Sequence, residues 1–117
     1  MKQYQVGPDE FDEFDWKEMG CEEYVWCVYS YEQGSYDGDG VAVAKREDGK
    51  FDYGTLAHCS CYGPTDHWLD GTVDRRGILA LLKSDEGGKP RQVGDFDGPH
   101  WLAVAVKVRK LLGVKEK

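Results

Sequence analysis

Residues 58–68, HCSCYGPTDHW, concentrate side chains that bind metals or carry out thiol chemistry. Cys59 and Cys61 offer sulfur ligands. His67 offers an imidazole that can approach the two cysteines if the chain turns between Cys61 and His67. Thiolates and imidazoles are ligands that zinc prefers, and a thiol beside an imidazole is a common nucleophile. The segment therefore predicts two alternative sites, one for zinc and one for a reactive thiol, each with Cys59, Cys61 and His67 at its core.

The spacing of these residues weakens the prediction of zinc. Structural zinc sites usually pair their cysteines as C-x2-C, whereas a single residue separates Cys59 from Cys61. Along an extended strand the two cysteines share a face and His58 points to the opposite one. A complete site needs a further ligand from elsewhere in the chain. The candidates for that ligand are Asp66, His58, Cys27 and His100.

Thiol catalysis is the weaker of the two alternatives. A nucleophilic cysteine needs a lowered pKa, whereas the acidic surroundings expected here raise the pKa of a thiol. No pattern typical of an oxyanion hole is present in the sequence. A simpler interpretation is a turn that ends a strand, with Gly63 and Pro64 at its corner and the cysteines buried as small apolar residues. We therefore predict that the protein is not an enzyme.

The charge of the chain is unevenly distributed. The 117 residues carry a formal net charge of -7. Residues 1–60 contain 14 acidic and 5 basic residues, whereas residues 61–117 contain 8 acidic and 10 basic ones. Residues 9–23 hold eight acidic residues and one base, Lys17. Such a surface repels nucleic acid and attracts basic proteins, although a solvated face without a partner is the alternative.

We predict that a protein partner binds this acidic surface. Acidic residues can imitate the phosphate backbone of a nucleic acid, so a nucleic-acid-binding protein with a basic groove is one candidate partner. The predicted partner-binding residues come from the N-terminal run and from the DGDG segment. They are Asp9, Glu10, Asp12, Glu13, Asp15, Asp37 and Asp39.

Neither a secretory signal nor a membrane span is predicted. The first ten residues lack the apolar stretch of a signal peptide, and no run of about 18 apolar residues occurs. We therefore expect a cytoplasmic protein whose thiols stay reduced. The four cysteines are Cys21, Cys27, Cys59 and Cys61.

The elements that position these residues are predicted to form one α+β domain over residues 1–117. An N-terminal helix is expected from Pro8 to Gly20, because Pro8 suits a first helical position and acidic residues follow it. Three strands are then expected, joined in an antiparallel meander. They cover residues 23–31, 41–46 and 51–60, and the Asp48-Gly49 turn joins the last two.

The first of these strands is apolar on both faces, which predicts burial on both sides. Strict alternation assigns Val25, Cys27 and Tyr29 to one face, and Tyr24, Trp26 and Val28 to the other.

The remaining elements are a loop and two helices. Residues 61–72 are expected to form a loop, followed by a short helix over residues 72–84 that Gly77 weakens. Residues 99–112 favour a helix with Pro99 at its start and Gly113 after its end, although apolar alternation leaves a strand as the alternative. The expected inward face of this helix carries Trp101, Val104 or Ala105, Val108 and Leu112.

The pairing of GSYDGDGVAVAK with a downstream HCSCYGP, about residues 29–64, resembles a group of small proteins encoded by bacteriophages and their bacterial hosts. The resemblance identifies no catalytic residue in this sequence. It implies a cytoplasmic protein that is made during infection or carried on a prophage. Together with the acidic surface, it leads to the hypothesis of a non-enzymatic accessory protein that binds and inhibits or modulates a host protein. A metal or thiol site and a structural component of the virion are the alternatives.

Overall fold

A computed structural model of the chain describes residues 2–9, 24–33, 38–56, 69–83 and 99–113. Within these ranges, five strands form one sheet and lie in it in chain order. The first runs parallel to the second, and all other neighbours are antiparallel. The strands are β1 (Lys2–Gln5), β2 (Tyr24–Gln33), β3 (Gly38–Arg46), β4 (Phe51–Thr55) and β5 (Leu69–Val73). Two helices follow them, α1 (Arg75–Lys83) and α2 (Pro99–Leu112).

The central strands β2 and β3 are buried on both faces, because apolar side chains alternate to both sides of them. On one face the sheet packs against α1 and α2, with the rings of Trp26 and Phe51 centred 6.0 Å apart. Small and aromatic side chains form a second buried cluster on the opposite face. Its members are Cys27, Tyr29, Tyr31, Ala42, Ala44 and Leu56.

A β-bulge at the start of β2 changes the predicted assignment of faces. The register shifts between Tyr24 and Trp26, so Val25 is an extra residue in its strand. Val25 is 44% exposed instead of buried with Cys27. Tyr24 packs with the Cys27 cluster, on the face opposite to Trp26. The strict alternation that assigned Tyr24 and Trp26 to one face is therefore wrong at this point.

Helix α1 starts at a side-chain cap and packs closely on the sheet. The Oδ1 atom of Asp74 accepts a hydrogen bond from the backbone N–H of Gly77 at 2.8 Å, as an N-cap residue does. Ile78 and Leu82 lie one turn apart and are both fully buried. A Cβ atom on Gly77 would lie 2.7 Å from Cβ of Val73. The glycine that lowers helix propensity thus allows the close approach of α1 to β5.

Residues 99–112 form a helix, and the alternative of a strand is wrong. The inward face of α2 carries Trp101, Val104, Ala105 and Val108, all fully buried. Gly113 follows the helix with a φ of 76°, a left-handed conformation that glycine adopts without steric cost. The end signals read from the sequence therefore mark the helix correctly.

An arginine of each helix donates a hydrogen bond to a carbonyl near the C-terminal end of the other helix. Arg109 donates from Nη2 to the carbonyl oxygen of Leu82 at 2.6 Å, and Arg75 donates to that of Leu112 at 3.3 Å. These carbonyls lie where a helix has no internal donors for them. The two bonds therefore satisfy one carbonyl at each helix end and join α1 to α2.

The predicted three-stranded meander with three helices is wrong, because the sheet is mixed and has five strands. Strand β1, KQYQ, has mostly exposed polar side chains and lacks an apolar pattern. Strand β5, LDGTV, replaces the end of the predicted loop over residues 61–72 and the start of the helix predicted over residues 72–84, which begins instead at Arg75; the strand contains Gly71. A Cβ atom there would lie 2.7 Å from the hydroxyl of Tyr53, so the glycine makes room for the tyrosine.

The start of the predicted N-terminal helix is also wrong. Pro8 and Asp9 are not helical, because the chain after β1 continues along β2. The backbone N–H of Val6 donates to the carbonyl of Tyr29 at 2.9 Å, and that of Asp9 donates to Tyr31 at 3.0 Å. Residues 10–20 of this prediction lie outside the described ranges. The third predicted strand, residues 51–60, ends at Thr55, and its last residues, 57–60, also lie outside them.

Candidate functional site

The residues predicted to bind a metal or act as thiols lie outside the described residues. These are His58, Cys59, Cys61, Asp66 and His67. Two candidates for a further ligand are described, and the sheet separates them. Cys27 is buried on the face opposite the helices, whereas His100 lies in the first turn of α2. In the described part of the chain, no three His, Cys, Asp or Glu residues are grouped closely enough to hold a metal. The zinc and thiol sites stay predictions.

The strand register gathers acidic residues at the end of the sheet where β2 leads to β3. Glu32 in β2 pairs directly with Asp39 in β3. On the other side of β2, the backbone of Asp9 is bonded to Tyr31, the residue before Glu32. We call Asp9, Glu32 and Asp39 the acidic end. Two of its members were predicted to bind a partner. The other predicted residues, Glu10, Asp12, Glu13, Asp15 and Asp37, lie outside the described ranges.

The acidic end is tied to the helix layer through a buried serine. Ser30 Oγ and His100 Nδ1 share a hydrogen bond at 2.6 Å, and Nε2 of the same imidazole lies 3.9 Å from Glu32 Oε1. Ser30 is 2% exposed, whereas the side chain of Glu32 is 67% exposed. His100 therefore links an exposed carboxylate to the interior of the sheet.

A serine, a histidine and a glutamate in line resemble a hydrolase triad, but the packing around the hydroxyl prevents that chemistry. A Cβ atom on Gly7 would overlap Ser30 Oγ, and one on Gly40 would overlap the carbonyl oxygen of Ser30. The serine is thus enclosed between two close backbone segments. A nucleophilic hydroxyl must reach a substrate carbonyl, and this one is buried. The buried hydroxyl therefore ties β2 to α2 through His100.

Sequence reasoning considered His100 only as a distant metal ligand and did not consider Ser30 or Glu32. One signal for this contact was available. Alternation places Ser30 on the apolar face of β2 with Trp26 and Val28, and a buried hydroxyl there requires a hydrogen-bond partner. The identity of that partner depends on how α2 crosses the sheet, which local sequence patterns do not encode.

A second polar cluster closes the opposite end of β2. The carboxylate of Asp52 is buried and accepts hydrogen bonds from Tyr24 at 2.5 Å and from Thr72 at 2.6 Å. The guanidinium of Arg46 lies 3.6 Å from Asp52 and 3.0 Å from Asp48. These bonds satisfy Asp52 within the fold and join β2, β4 and β5.

The turn between β3 and β4 fixes the charge of Asp48. The backbone N–H of Lys50 donates to Asp48 Oδ1 at 3.0 Å. This bond, followed by the attraction of Arg46, holds the pKa of Asp48 below its ordinary value of 3.8. The carboxylate therefore stays ionised into the acid range and supports the turn.

Comparisons of the chain with protein-family models, with curated proteins and with solved structures gave no match. Of the helices in the described ranges, neither is long and apolar enough to cross a membrane.

Proposed function

We propose that this protein binds a basic surface of another protein through its acidic end and catalyses no reaction. The observation that carries the proposal is that the segment after β1 brings Asp9 to the end of the β2–β3 pair at which Glu32 and Asp39 stand opposite each other. Acidic residues that serve only solubility can be spread over the whole surface and need not be clustered. A basic partner is attracted to such a concentration of negative charge.

The pairing of Glu32 with Asp39 supports this function energetically. Like charges on directly opposed residues of antiparallel strands destabilise a sheet by up to about 1 kcal/mol. A sheet selected for stability alone would place a neutral or basic residue at one of the two positions. A cationic group from a partner would offset the cost of placing two acidic residues at directly opposed positions of the register.

The backbone beneath the acidic end is well supported. The N–H of Leu56 donates to the carbonyl of Gly40 at 2.7 Å, and the N–H of Asp9 donates to that of Tyr31 at 3.0 Å. The bond between Ser30 and His100 adds a side-chain link to α2. Because less conformational freedom is lost on association, a surface fixed in this way binds more tightly than a flexible one.

The resemblance of residues 29–64 to small phage proteins supports a particular kind of partner. We infer that the partner is a host or phage protein in the cytoplasm of an infected cell. A nucleic-acid-binding protein fits best, because its basic groove complements clustered carboxylates. Occupation of that groove would inhibit or modulate the partner.

The test is affinity capture from the cytoplasm of the bacterial host, with three versions of the chain. The wild type and a Glu47→Lys control should retain the same basic protein, because Glu47 is an exposed acid in the turn at the other end of the sheet. Glu32→Lys and Asp39→Lys should lose it. If both reversed variants retain the partner as well as the control does, the acidic end is not the binding surface.

A further inference from the structure

The helix layer has the opposite charge to the acidic end. Helices α1 and α2 together contain six basic residues and no acidic one, although the chain as a whole has a net charge of -7. Arg76 and Lys110 are exposed to solvent. The described helix layer is therefore basic, in contrast to the acidic end.

The outward face of α2 combines this charge with exposed apolar side chains. Leu102 is 48% exposed and Val106 is 40% exposed. They lie one turn apart on the side of α2 that faces away from Val104 and Val108, and Lys110 continues the same line one turn later. Only one other large apolar residue in the described ranges is as exposed, and it lies in β2. We call Leu102, Val106 and Lys110 the outer stripe.

Two further basic residues border the outer stripe and are held in place. The ammonium group of Lys107 lies over the ring of Tyr4, 4.4 Å from its centroid. Arg109, on the other side, donates to the carbonyl of Leu82. Their positive charges therefore stand at fixed positions beside the apolar pair, which gives the surface an apolar centre and a basic rim.

We propose that the outer stripe binds an acidic protein segment that carries apolar side chains. The basic rim selects for carboxylates, and the apolar centre selects for side chains that can cover Leu102 and Val106. A nucleic acid fits less well, because a phosphate backbone offers nothing apolar to this centre. An anionic membrane also fits less well, because two aliphatic side chains bury little area and the net charge of the protein opposes adsorption.

This surface is separate from the one that carries the proposed function. His100, which lies next to Glu32, precedes Leu102 by two residues and therefore lies on nearly the opposite side of α2, whereas Lys110 lies ten residues after His100, about 15 Å along the helix. A protein with both surfaces can hold a basic and an acidic partner at once. The outer stripe does not depend on the proposed function, since either surface can fail its test without the other.

The probe is a fluorescein-labelled peptide in which leucines recur at helical spacing among glutamates. Fluorescence anisotropy measures its binding to the protein. We expect saturable binding to the full chain that weakens as salt is raised. Leu102→Gln and Val106→Gln should each weaken it about tenfold, and Lys110→Gln about threefold. Lys50→Gln, an exposed lysine in the turn between β3 and β4, is the matched control and should bind like the wild type.

Further probes separate the alternative occupants. A peptide with glutamine in place of every glutamate should bind at least about tenfold more weakly. Oligothymidylate and phosphatidylserine vesicles should not displace the acidic peptide. The proposal is overturned if the Leu102 and Val106 variants bind like the control, if the glutamine peptide binds equally, or if either of the other polyanions displaces the probe. Thermal unfolding of each variant confirms that these exposed substitutions leave the fold intact.

Discussion

Ser30 Oγ in β2 and His100 Nδ1 in α2 lie 2.6 Å apart, although 70 residues separate them in the chain. The serine is buried, so neither water nor another described side chain replaces the imidazole easily. This bond fixes α2 against the strand that carries Glu32. The hydrogen bond between Ser30 and His100 therefore links the helix layer to the strand that carries the acidic end.

Removing one member of this pair should cost more than its hydrogen bond alone. We expect Ser30→Ala and His100→Leu each to lower the free energy of unfolding by about 1–3 kcal/mol, because each leaves a buried polar group without its partner. The double variant should lose less than the sum of the two, since it leaves neither group unsatisfied. Urea unfolding of the four proteins measures this. Strictly additive losses would show that the two side chains do not interact.

Two glycines should respond very differently to alanine. At Gly40 a Cβ atom would overlap backbone atoms of β2, including a Cα at 2.9 Å, so Gly40→Ala should cost about 3 kcal/mol or more. At Gly49 nothing lies within 4 Å, and the φ of 92° alone should make Gly49→Ala cost about 1 kcal/mol. Thermal unfolding of the two variants compares them. Equal losses would contradict the close contact between β2 and β3.

Local patterns in the sequence predicted the strongly periodic elements of this fold. Residues 99–112 carry both end signals and an apolar face, and they form α2 as expected. The edge strands escaped prediction for a physical reason. Because an edge strand gains much of its stability from pairing, KQYQ needs no apolar pattern to form β1 beside β2. Gly71 likewise favours a loop when the sequence alone is considered. In the structure, the Tyr53 side chain occupies the space that a side chain at position 71 would need.

Neutralising one acid of the opposed pair should stabilise the isolated protein. We expect Asp39→Asn to raise the free energy of unfolding by a few tenths to about 1 kcal/mol at low salt, because like charges at directly opposed register positions, such as 32 and 39, destabilise a sheet. The gain should shrink as salt screens the charges. Glu47→Gln is the control and should change stability little. A loss of stability in Asp39→Asn at low salt would show that the pairing carries no repulsive cost.

The contribution of Asp48 to the stability of the fold should decrease as the pH falls. Its pKa is lowered in the folded state, so the contribution is complete above the ordinary value of 3.8 and is lost as the pH falls through the folded pKa. Asp48→Asn should therefore be less stable than the wild type at neutral pH and should match it in strong acid. Urea unfolding across this pH range measures the difference. A difference that persists unchanged in strong acid would rule out the carboxylate as its source.

The candidate site was only partly predictable, because the pairing of β2 with β3 and with the segment after β1 decides which acidic residues meet. Charge patterning identified Asp9 and Asp39 as partner-binding candidates, since local density of acids is visible in the sequence. It did not identify Glu32, an isolated acid in an apolar strand. Only the pairing of Glu32 with Asp39 shows that it completes the acidic end, and pairing is a property of the sheet.

The most direct test of the proposed function is the dissociation constant for the captured partner, measured at several salt concentrations. We predict that binding by the wild type and by Glu47→Lys weakens together as salt rises, because exposed charges attract the partner. Asp39→Lys should bind at least about tenfold more weakly at low salt, and the difference should narrow at high salt. A dissociation constant that Asp39→Lys leaves unchanged at every salt concentration would contradict a role for the acidic end in binding.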